Sequence, residues 1–170
     1  MSGGARHWIL SVLAALLAAP AARAAELRVG APAPPLTLVT LDGQHISTAD
    51  LRGQVVILTF WATWCAPCRA ELPLLSDYAA RHHAEGLTVL AFSLDDPERL
   101  AEVRAIAATL SFPVGLLGSD RAGGYGRMWR LPVSFTIDRA GRLANDGWKE
   151  KNPALQAGRL EELVTPLLAK

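Results

Sequence analysis

The amino-acid sequence predicts a single α/β domain in which a mixed central β-sheet is covered by helices. Its 170 residues suffice for one such domain but not for two. Along the chain, apolar strand-like runs alternate with amphipathic helical segments, which favours parallel strand pairing through βαβ crossovers. A later strand, turn and strand follow one another directly, which favours an antiparallel hairpin joined to the same sheet.

Residues 1–24 are predicted to be a signal peptide, and residues 25–170 the folded domain. The leader starts with the positive charge of Arg6, continues as an apolar stretch and ends in an A-x-A cleavage site. An apolar helix of roughly 12 residues rises about 18 Å, less than the ~30 Å hydrocarbon core of a bilayer. We therefore expect export to the periplasm, with cleavage between Ala24 and Ala25. The alternative is an uncleaved leader that gives peripheral membrane association.

An extended entry segment and a β-hairpin are expected at the start of the domain. Val29 to Pro35 is rich in proline, which lacks a backbone donor and disfavours helix in the residue before it. Leu36 to Val39 and Gln44 to Ile46 are β-prone and flank Asp42-Gly43, a frequent hairpin turn dipeptide. Ser47 to Leu51 is expected to form a short turn.

A buried strand and a long helix should follow the hairpin. Val55 to Trp61 shows no polar alternation, as is typical of a central strand covered on both faces. From Ala66 to about Glu85, apolar residues recur at helical spacing, and Gly86 is a favourable helix stop. Pro73 is expected to kink this helix.

The rest of the chain is expected to complete the sheet and its helical cover. The predicted strands are Leu87 to Leu94, Val114 to Leu117, Val133 to Ile137 and, more weakly, Arg142 to Trp148. The predicted helices are Pro97 to Leu110 and Pro153 to Leu168, with a short helix or turn at Gly123 to Trp129 and a turn at Asp138 to Gly141.

The main chemical signal is the pair Cys65 and Cys68, the only cysteines of the chain. The pair lies between the buried strand and the start of the long helix, a setting in which C-x-x-C is typical of a redox motif. Backbone N–H groups and the helix dipole are expected to stabilise a thiolate at Cys65 and to lower its pKa below the roughly 8.5 of a free thiol. We therefore expect Cys65 to attack a disulfide, and Cys68, one helical turn away, to resolve the mixed disulfide.

Composition and spacing disfavour other kinds of site. Lys and Arg number 17 against 16 Asp and Glu, and no basic run is interleaved with aromatic residues, so we do not expect a nucleic-acid partner. A structural zinc site takes four ligands, and His82 and His83 lie about 21 Å along the helix from the cysteines. We expect no metal and no cofactor, and we interpret the two histidines as a solvated helix end.

Three blocks of residues carry a resemblance to a known family. They are Phe60-Trp61-Ala62-Thr63-Trp64-Cys65-Ala66-Pro67-Cys68, then Glu71-Leu72-Pro73, then Leu131-Pro132-Val133-Ser134-Phe135 with Ile137-Asp138 and Gly141. With these blocks, nearly all of the mature chain resembles the thioredoxin superfamily, and within it the exported TlpA/ResA-like thiol-disulfide oxidoreductases. The resemblance implies a thioredoxin-like fold with an N-terminal β-hairpin extension and a helical insertion.

The resemblance also implies how a substrate is held. Pro132 is expected to be a cis-proline whose loop faces the dithiol, so that the backbone of Leu131 pairs with an extended substrate segment. An ordinary trans-proline at the start of a strand is the alternative. The expected substrate-binding residues are Trp64, Pro67, Leu131 and Pro132. Trp129 and Arg130 are expected to be a packing residue and a surface charge.

Two further positions bear on proton transfer. Glu71 follows Cys68 by three residues and therefore shares its helix face, so its carboxylate is expected to exchange protons with Cys68 as a third catalytic residue. A solvent-facing glutamate is the alternative. Thr59 occupies the strand position where ordinary cytosolic thioredoxins carry a buried aspartate. Because a hydroxyl cannot replace that base, proton handling falls to Glu71 or water.

The function implied by the resemblance is a periplasmic dithiol reductase of protein disulfides. Its expected partners are a client protein with a disulfide and a membrane electron donor of the thiol-reducing pathway. Cytochrome c maturation is the leading pathway, and copper-site assembly is a close alternative. A disulfide-forming oxidase and a non-enzymatic haem or copper carrier stay open. A peroxidase is disfavoured because the sequence lacks the Pro/Thr-rich peroxidatic loop of peroxiredoxins.

Overall fold

A computed structural model describes residues 27–169, which form a five-stranded mixed sheet and a separate two-stranded hairpin. The hairpin strands are β1 (Thr37–Val39) and β2 (His45–Ser47); the sheet strands are β3 (Val55–Trp61), β4 (Leu87–Ser93), β5 (Val114–Leu116), β6 (Val133–Ile137) and β7 (Leu143–Asn145). Their spatial order is β5-β4-β3-β6-β7. The pairs β3–β4 and β4–β5 are parallel, whereas β3–β6 and β6–β7 are antiparallel. The predicted mixed sheet and hairpin are confirmed, and the predicted leader lies outside the described residues.

The described chain also contains four α-helices and five short 3-10 segments. The helices are α1 (Ala66–His82), α2 (Leu100–Ala107), α3 (Ala157–Leu163) and α4 (Thr165–Leu168), and the 3-10 segments are Thr48–Leu51, His83–Glu85, Pro97–Arg99, Gly123–Tyr125 and Gly147–Lys149. Gly86 ends the α1 region in the left-handed conformation, with φ at 83°. Within residues 27–169, no helix combines the length and apolarity needed to cross a membrane.

Strand β3 is the centre of the fold because each of its residues is buried. Its side chains alternate between two apolar clusters: Val55, Ile57 and Trp61 face the cluster that includes α1, and Val56, Leu58 and Phe60 face the opposite one. Burial of each large apolar side chain contributes about 1.5–3 kcal/mol. The strand therefore holds the following residues, which lead to Cys65, in a fixed position at its carboxyl end.

The predicted strand from Arg142 to Trp148 is wrong in its length, because β7 ends at Asn145. The side chain of Asp146 then accepts the N–H of Trp148 at 3.1 Å and starts a 3-10 segment. At Gly147 the backbone comes so close to β6 that a Cβ atom would lie 2.2 Å from the carbonyl oxygen of Ser134. Capping and close backbone approach thus end the strand early.

The two helices predicted at Pro97 to Leu110 and at Pro153 to Leu168 are also shorter than expected. Pro97 starts a 3-10 segment rather than an α-helix, and α2 ends at Ala107 instead of Leu110. The tail begins its helix only at Ala157 and breaks at Val164, two residues before Pro166, whose missing N–H cannot continue the hydrogen-bond ladder.

Candidate active site

Cys65 is the N-cap of α1, at the point where the chain leaves β3. Its backbone is extended (φ −87°, ψ 99°), and its N–H donates to the carbonyl oxygen of Ala62 at 3.1 Å. The N–H of Cys68 donates to the sulfur of Cys65 at 3.2 Å. A sulfur that accepts a backbone N–H at a helix N-terminus is placed to carry negative charge once it is reduced.

Cys65 and Cys68 are joined in a disulfide, with their Cα atoms 5.2 Å apart. The prediction that both sulfurs face the same side of the helix is confirmed. Cys65 is 6% exposed and lines a surface groove, whereas Cys68 is 1% exposed and lies behind it. A disulfide that approaches from solvent therefore meets Cys65 first, which supports the order of attack expected from the sequence.

Glu71 is buried in α1, one turn beyond Cys68, so the alternative of a solvent-facing glutamate is wrong. Its Oε2 accepts the N–H of Leu155 at 2.8 Å, and its Oε1 accepts from the hydroxyls of Thr59 and Ser134, each at 3.5 Å. Burial raises the pKa of Glu71 from its ordinary 4.5 to about 7, and these three hydrogen bonds act in the opposite direction. A carboxyl group with this pKa can both accept and release a proton near neutral pH.

The environment of Glu71 comes from three parts of the chain. Thr59 on β3 pairs in register with Ser134 on β6, so that neighbouring strands present two hydroxyls to one carboxylate oxygen. Leu155 belongs to the irregular stretch before α3, and its N–H is engaged by Glu71 rather than by a helix. The hydrogen bond between Leu155 and Glu71 therefore relates the late start of the tail helix to the burial of Glu71.

A second buried carboxylate, Asp95, holds the turn that precedes the dithiol. The N–H of Thr63 donates to Oδ2 of Asp95 at 2.8 Å, and the hydroxyl of Thr63 donates to Oδ1 at 2.6 Å. Ser93 donates its hydroxyl to Oδ2 at 2.7 Å, and Nε of Arg99 lies 3.4 Å from Oδ1. Because Thr63 is two residues from Cys65, this network fixes the approach of the chain to the helix N-terminus.

Replacing Asp95 by alanine should lower the free energy of unfolding by about 2 kcal/mol, because Thr63 and Ser93 lose their buried acceptor. Arg99 is 41% exposed in its side chain, so water recovers part of its hydrogen bonding. Urea unfolding of the oxidised protein measures the loss. Asp96→Ala is the matched control, since Asp96 is exposed and its side chain caps no helix. Equal stability of the two variants would contradict a supporting role for Asp95.

The groove beside Cys65 brings together most of the predicted substrate-binding residues. Trp64, Pro67 and Leu131 line it. The peptide bond between Leu131 and Pro132 is cis, so the expected conformation is confirmed, and Pro132 itself is buried. The loop before β6 thus faces the N-terminal turn of α1 across the groove.

The sequence matches a family model described as the AhpC/TSA family over residues 29–145. That range includes the dithiol, Glu71 and the cis-proline. The chain belongs to the AhpC/TSA family.

Within the AhpC/TSA family the chain is similar to proteins named thiol-disulfide oxidoreductase ResA. It is 30% identical over 142 residues to ResA of Bacillus anthracis, covering 83% of this chain and 81% of the relative. It is 34% identical over 116 residues to ResA of Geobacillus thermodenitrificans, covering 68% of this chain and 66% of the relative. A crystal structure of a thiol:disulfide interchange protein of the thioredoxin family from Chlorobium tepidum superposes with a TM-score of 0.67 at 28% identity, covering 85% of this chain and 99% of that one. This AhpC/TSA family member is a thiol-disulfide oxidoreductase of thioredoxin-like fold.

Several side chains of this family member differ from what the sequence predicted. The expectation of a solvated helix end is wrong for His82. Its side chain is only 14% exposed, and its ring packs on Tyr78 with the ring centroids 4.4 Å apart. Arg130 is not a plain surface charge, because its guanidinium donates to three backbone carbonyls. Trp129 is 67% exposed and lines the groove.

Asp95 was not predicted as part of the site. Asp95 lies 30 residues beyond Cys65 in sequence, and only the parallel pairing of β3 and β4 brings it beside Thr63. Its sequence signal is its place directly after a buried strand, where parallel strands deliver side chains to a common edge.

Proposed function

We propose that the protein is an exported, periplasmic dithiol reductase of protein disulfides, with Cys65 as nucleophile and Cys68 as resolving cysteine. The observation that carries the proposal is the dithiol at the N-terminus of α1, with Cys65 on an open groove and Cys68 behind it. Membership of a thiol-disulfide oxidoreductase family supports the same chemistry.

The proposed reaction has two exchange steps. The thiolate of Cys65 attacks the client disulfide, forming a new S–S bond to one client sulfur and releasing the other as a thiolate. The thiolate of Cys68 then attacks the sulfur of Cys65 and releases the second client sulfur. The client gains two electrons and, with two protons, becomes a dithiol. The protein is left with the Cys65–Cys68 disulfide, which a membrane electron donor reduces again.

Glu71 is proposed to take the proton that Cys68 must lose before it can attack. Cys68 is buried among apolar residues, where a thiol does not ionise readily without a nearby base. Glu71 follows it by one helical turn, and its raised pKa of about 7 matches the ambient pH. The Leu155 N–H holds Oε2 at 2.8 Å, whereas Oε1 accepts only the two longer hydrogen bonds, from Thr59 and Ser134 at 3.5 Å.

Export is proposed to remove residues 1–24, leaving residues 25–170 as the thioredoxin-like domain. Disulfide chemistry fits an oxidising compartment such as the periplasm. N-terminal sequencing of the exported protein tests this: a start at Ala25 is expected, and an intact Met1 would favour the uncleaved leader.

The client is proposed to belong to cytochrome c maturation, with copper-site assembly as the alternative; the resemblance to exported TlpA/ResA-like proteins supports this choice. In the first pathway the reductase keeps the haem-attachment cysteines of an apocytochrome reduced. In the second it reduces the cysteine ligands of a metallochaperone or oxidase subunit. Trapping clients on Cys68→Ser in the periplasm distinguishes the two pathways, because the captured protein is different in each.

The direction of the reaction is tested by equilibration with glutathione. A reductase should have a reduction potential close to that of thioredoxin, about −270 mV, whereas the reduction potential of a strong disulfide-forming oxidase is about −120 mV. We expect the Cys65–Cys68 couple to lie at the reducing end of this range. A value near about −120 mV would overturn the reductase and leave the oxidase.

A further inference from the structure

Two exposed tryptophans line the same groove as Cys65. Trp64 is 60% exposed and Trp129 is 67% exposed. Tryptophan is highly buried on average in folded proteins, so two largely exposed indoles at one groove indicate a binding surface rather than core packing. The groove is also lined by Leu94, Met128 and Leu131.

Trp129 is held in place although most of its surface is in solvent. Its ring stacks on Trp148, with centroids 5.3 Å apart and an interplanar angle of 16°. Trp148 in turn donates its Nε1–H to the carbonyl of Tyr125 at 2.9 Å and packs edge-on against Phe135 at 5.7 Å. Because this stack fixes the indole before anything binds, a ligand that contacts it loses little additional side-chain entropy.

Most residues that line the groove are apolar. Among residues 27–169, Arg130 is the one charged residue that lines it. The Nη2 atom of Arg130 donates to the carbonyls of Gly147, Trp148 and Glu150 at 2.6, 3.0 and 3.1 Å. Its guanidinium carbon also lies 5.1 Å from the ring centroid of Trp129. The mostly apolar lining, with Nη2 of Arg130 bonded to backbone carbonyls, fits an apolar side chain of a client.

We propose that Trp129 is a specificity-determining residue that binds a large apolar side chain, aromatic or aliphatic, next to the attacked cysteine of an extended client segment. The inference rests on the proposed function, because a client sulfur bonded to Cys65 is necessarily at this groove. Residues that flank the client cysteine then lie over Trp64 or Trp129. Contact with an aromatic side chain should favour such clients about three- to tenfold in kcat/KM.

The test compares two synthetic peptide disulfides that differ only in the residue next to cysteine, which is Phe in one and Ser in the other. The reduced wild-type protein should have the larger kcat/KM for the Phe peptide. In Trp129→Ala the ratio of the two kcat/KM values should fall towards one, and in Trp129→Phe, which keeps a ring, much of the ratio should remain. Val39→Ala is the control, because Val39 is an exposed apolar residue that does not line the groove, and it should keep the wild-type ratio.

A ratio near one in the wild type, or an unchanged ratio in Trp129→Ala, would overturn the inference. Reduction of 2-hydroxyethyl disulfide by the wild-type protein separates this failure from failure of the proposed function. If that small disulfide is reduced and the peptides are not distinguished, only the role of Trp129 falls. If no disulfide is reduced, both proposals fall.

Discussion

Replacing Cys65 by serine should reduce the rate of insulin-disulfide reduction to the uncatalysed background, a loss of about a thousandfold or more. A serine hydroxyl does not ionise near neutral pH and cannot form the S–S bond of the mixed disulfide. The serine hydroxyl can replace the Cys65 sulfur as the N-cap acceptor of the Cys68 N–H, so the start of α1 keeps its cap. The variant should therefore fold and lose only its catalytic activity. Circular dichroism checks that the fold is kept.

Cys68→Ser is the matched variant, because it removes the other sulfur and leaves the proposed nucleophile. It should attack a client once and then retain it as a mixed disulfide, since no second thiolate releases the Cys65 sulfur. Mass spectrometry of the adduct should locate the bond at Cys65. A trapped adduct at Cys68 in Cys65→Ser would reverse the proposed roles. A wild-type rate no higher than background would favour the non-enzymatic carrier.

The sheet was predictable because its strands carry their own signals. Val55 to Trp61 is apolar without alternation, and it is the central strand, buried on both faces. Val133 to Ile137 was predicted to the residue. Strand ends and the tail helix were less predictable, since they depend on contacts between distant residues. The Leu155 N–H bonds to Glu71, 84 residues earlier in the chain, and no local pattern contains that partner.

The site was predictable to the extent that its residues lie in one short segment. Cys65, Cys68 and Glu71 share the first turns of one helix, so helical spacing alone relates them. Asp95 and Trp129 reach the same region from other elements, and their contribution follows from sheet pairing and side-chain exposure. Residue type gave the wrong expectation for Trp129, because tryptophans more often pack than project into solvent.

Replacing Glu71 by glutamine should remove a pH dependence of the free energy of unfolding that amounts to about 3 kcal/mol. Burial raises the pKa of Glu71 in the folded protein to about 7, from 4.5. Between these values the folded state holds a proton that the unfolded state releases, so the free energy of unfolding falls as the pH rises. The contribution of the neutral carboxyl is complete below pH 4.5 and is lost as the pH rises through about 7.

Glutamine has nearly the same shape, and its carbonyl oxygen can still accept from the Leu155 N–H while its amide group donates to the Thr59 and Ser134 hydroxyls. It has no proton to lose, so relative to wild type the variant should gain stability from pH 4.5 to about pH 7 and keep that gain at higher pH. Urea unfolding of the oxidised protein measures this, because the disulfide keeps both cysteines from titrating. Glu98→Gln, at an exposed position, is the control and should follow the wild-type curve. If Glu71→Gln also follows that curve, the carboxylate is ionised throughout and does not serve Cys68 as a proton acceptor with a pKa near neutrality.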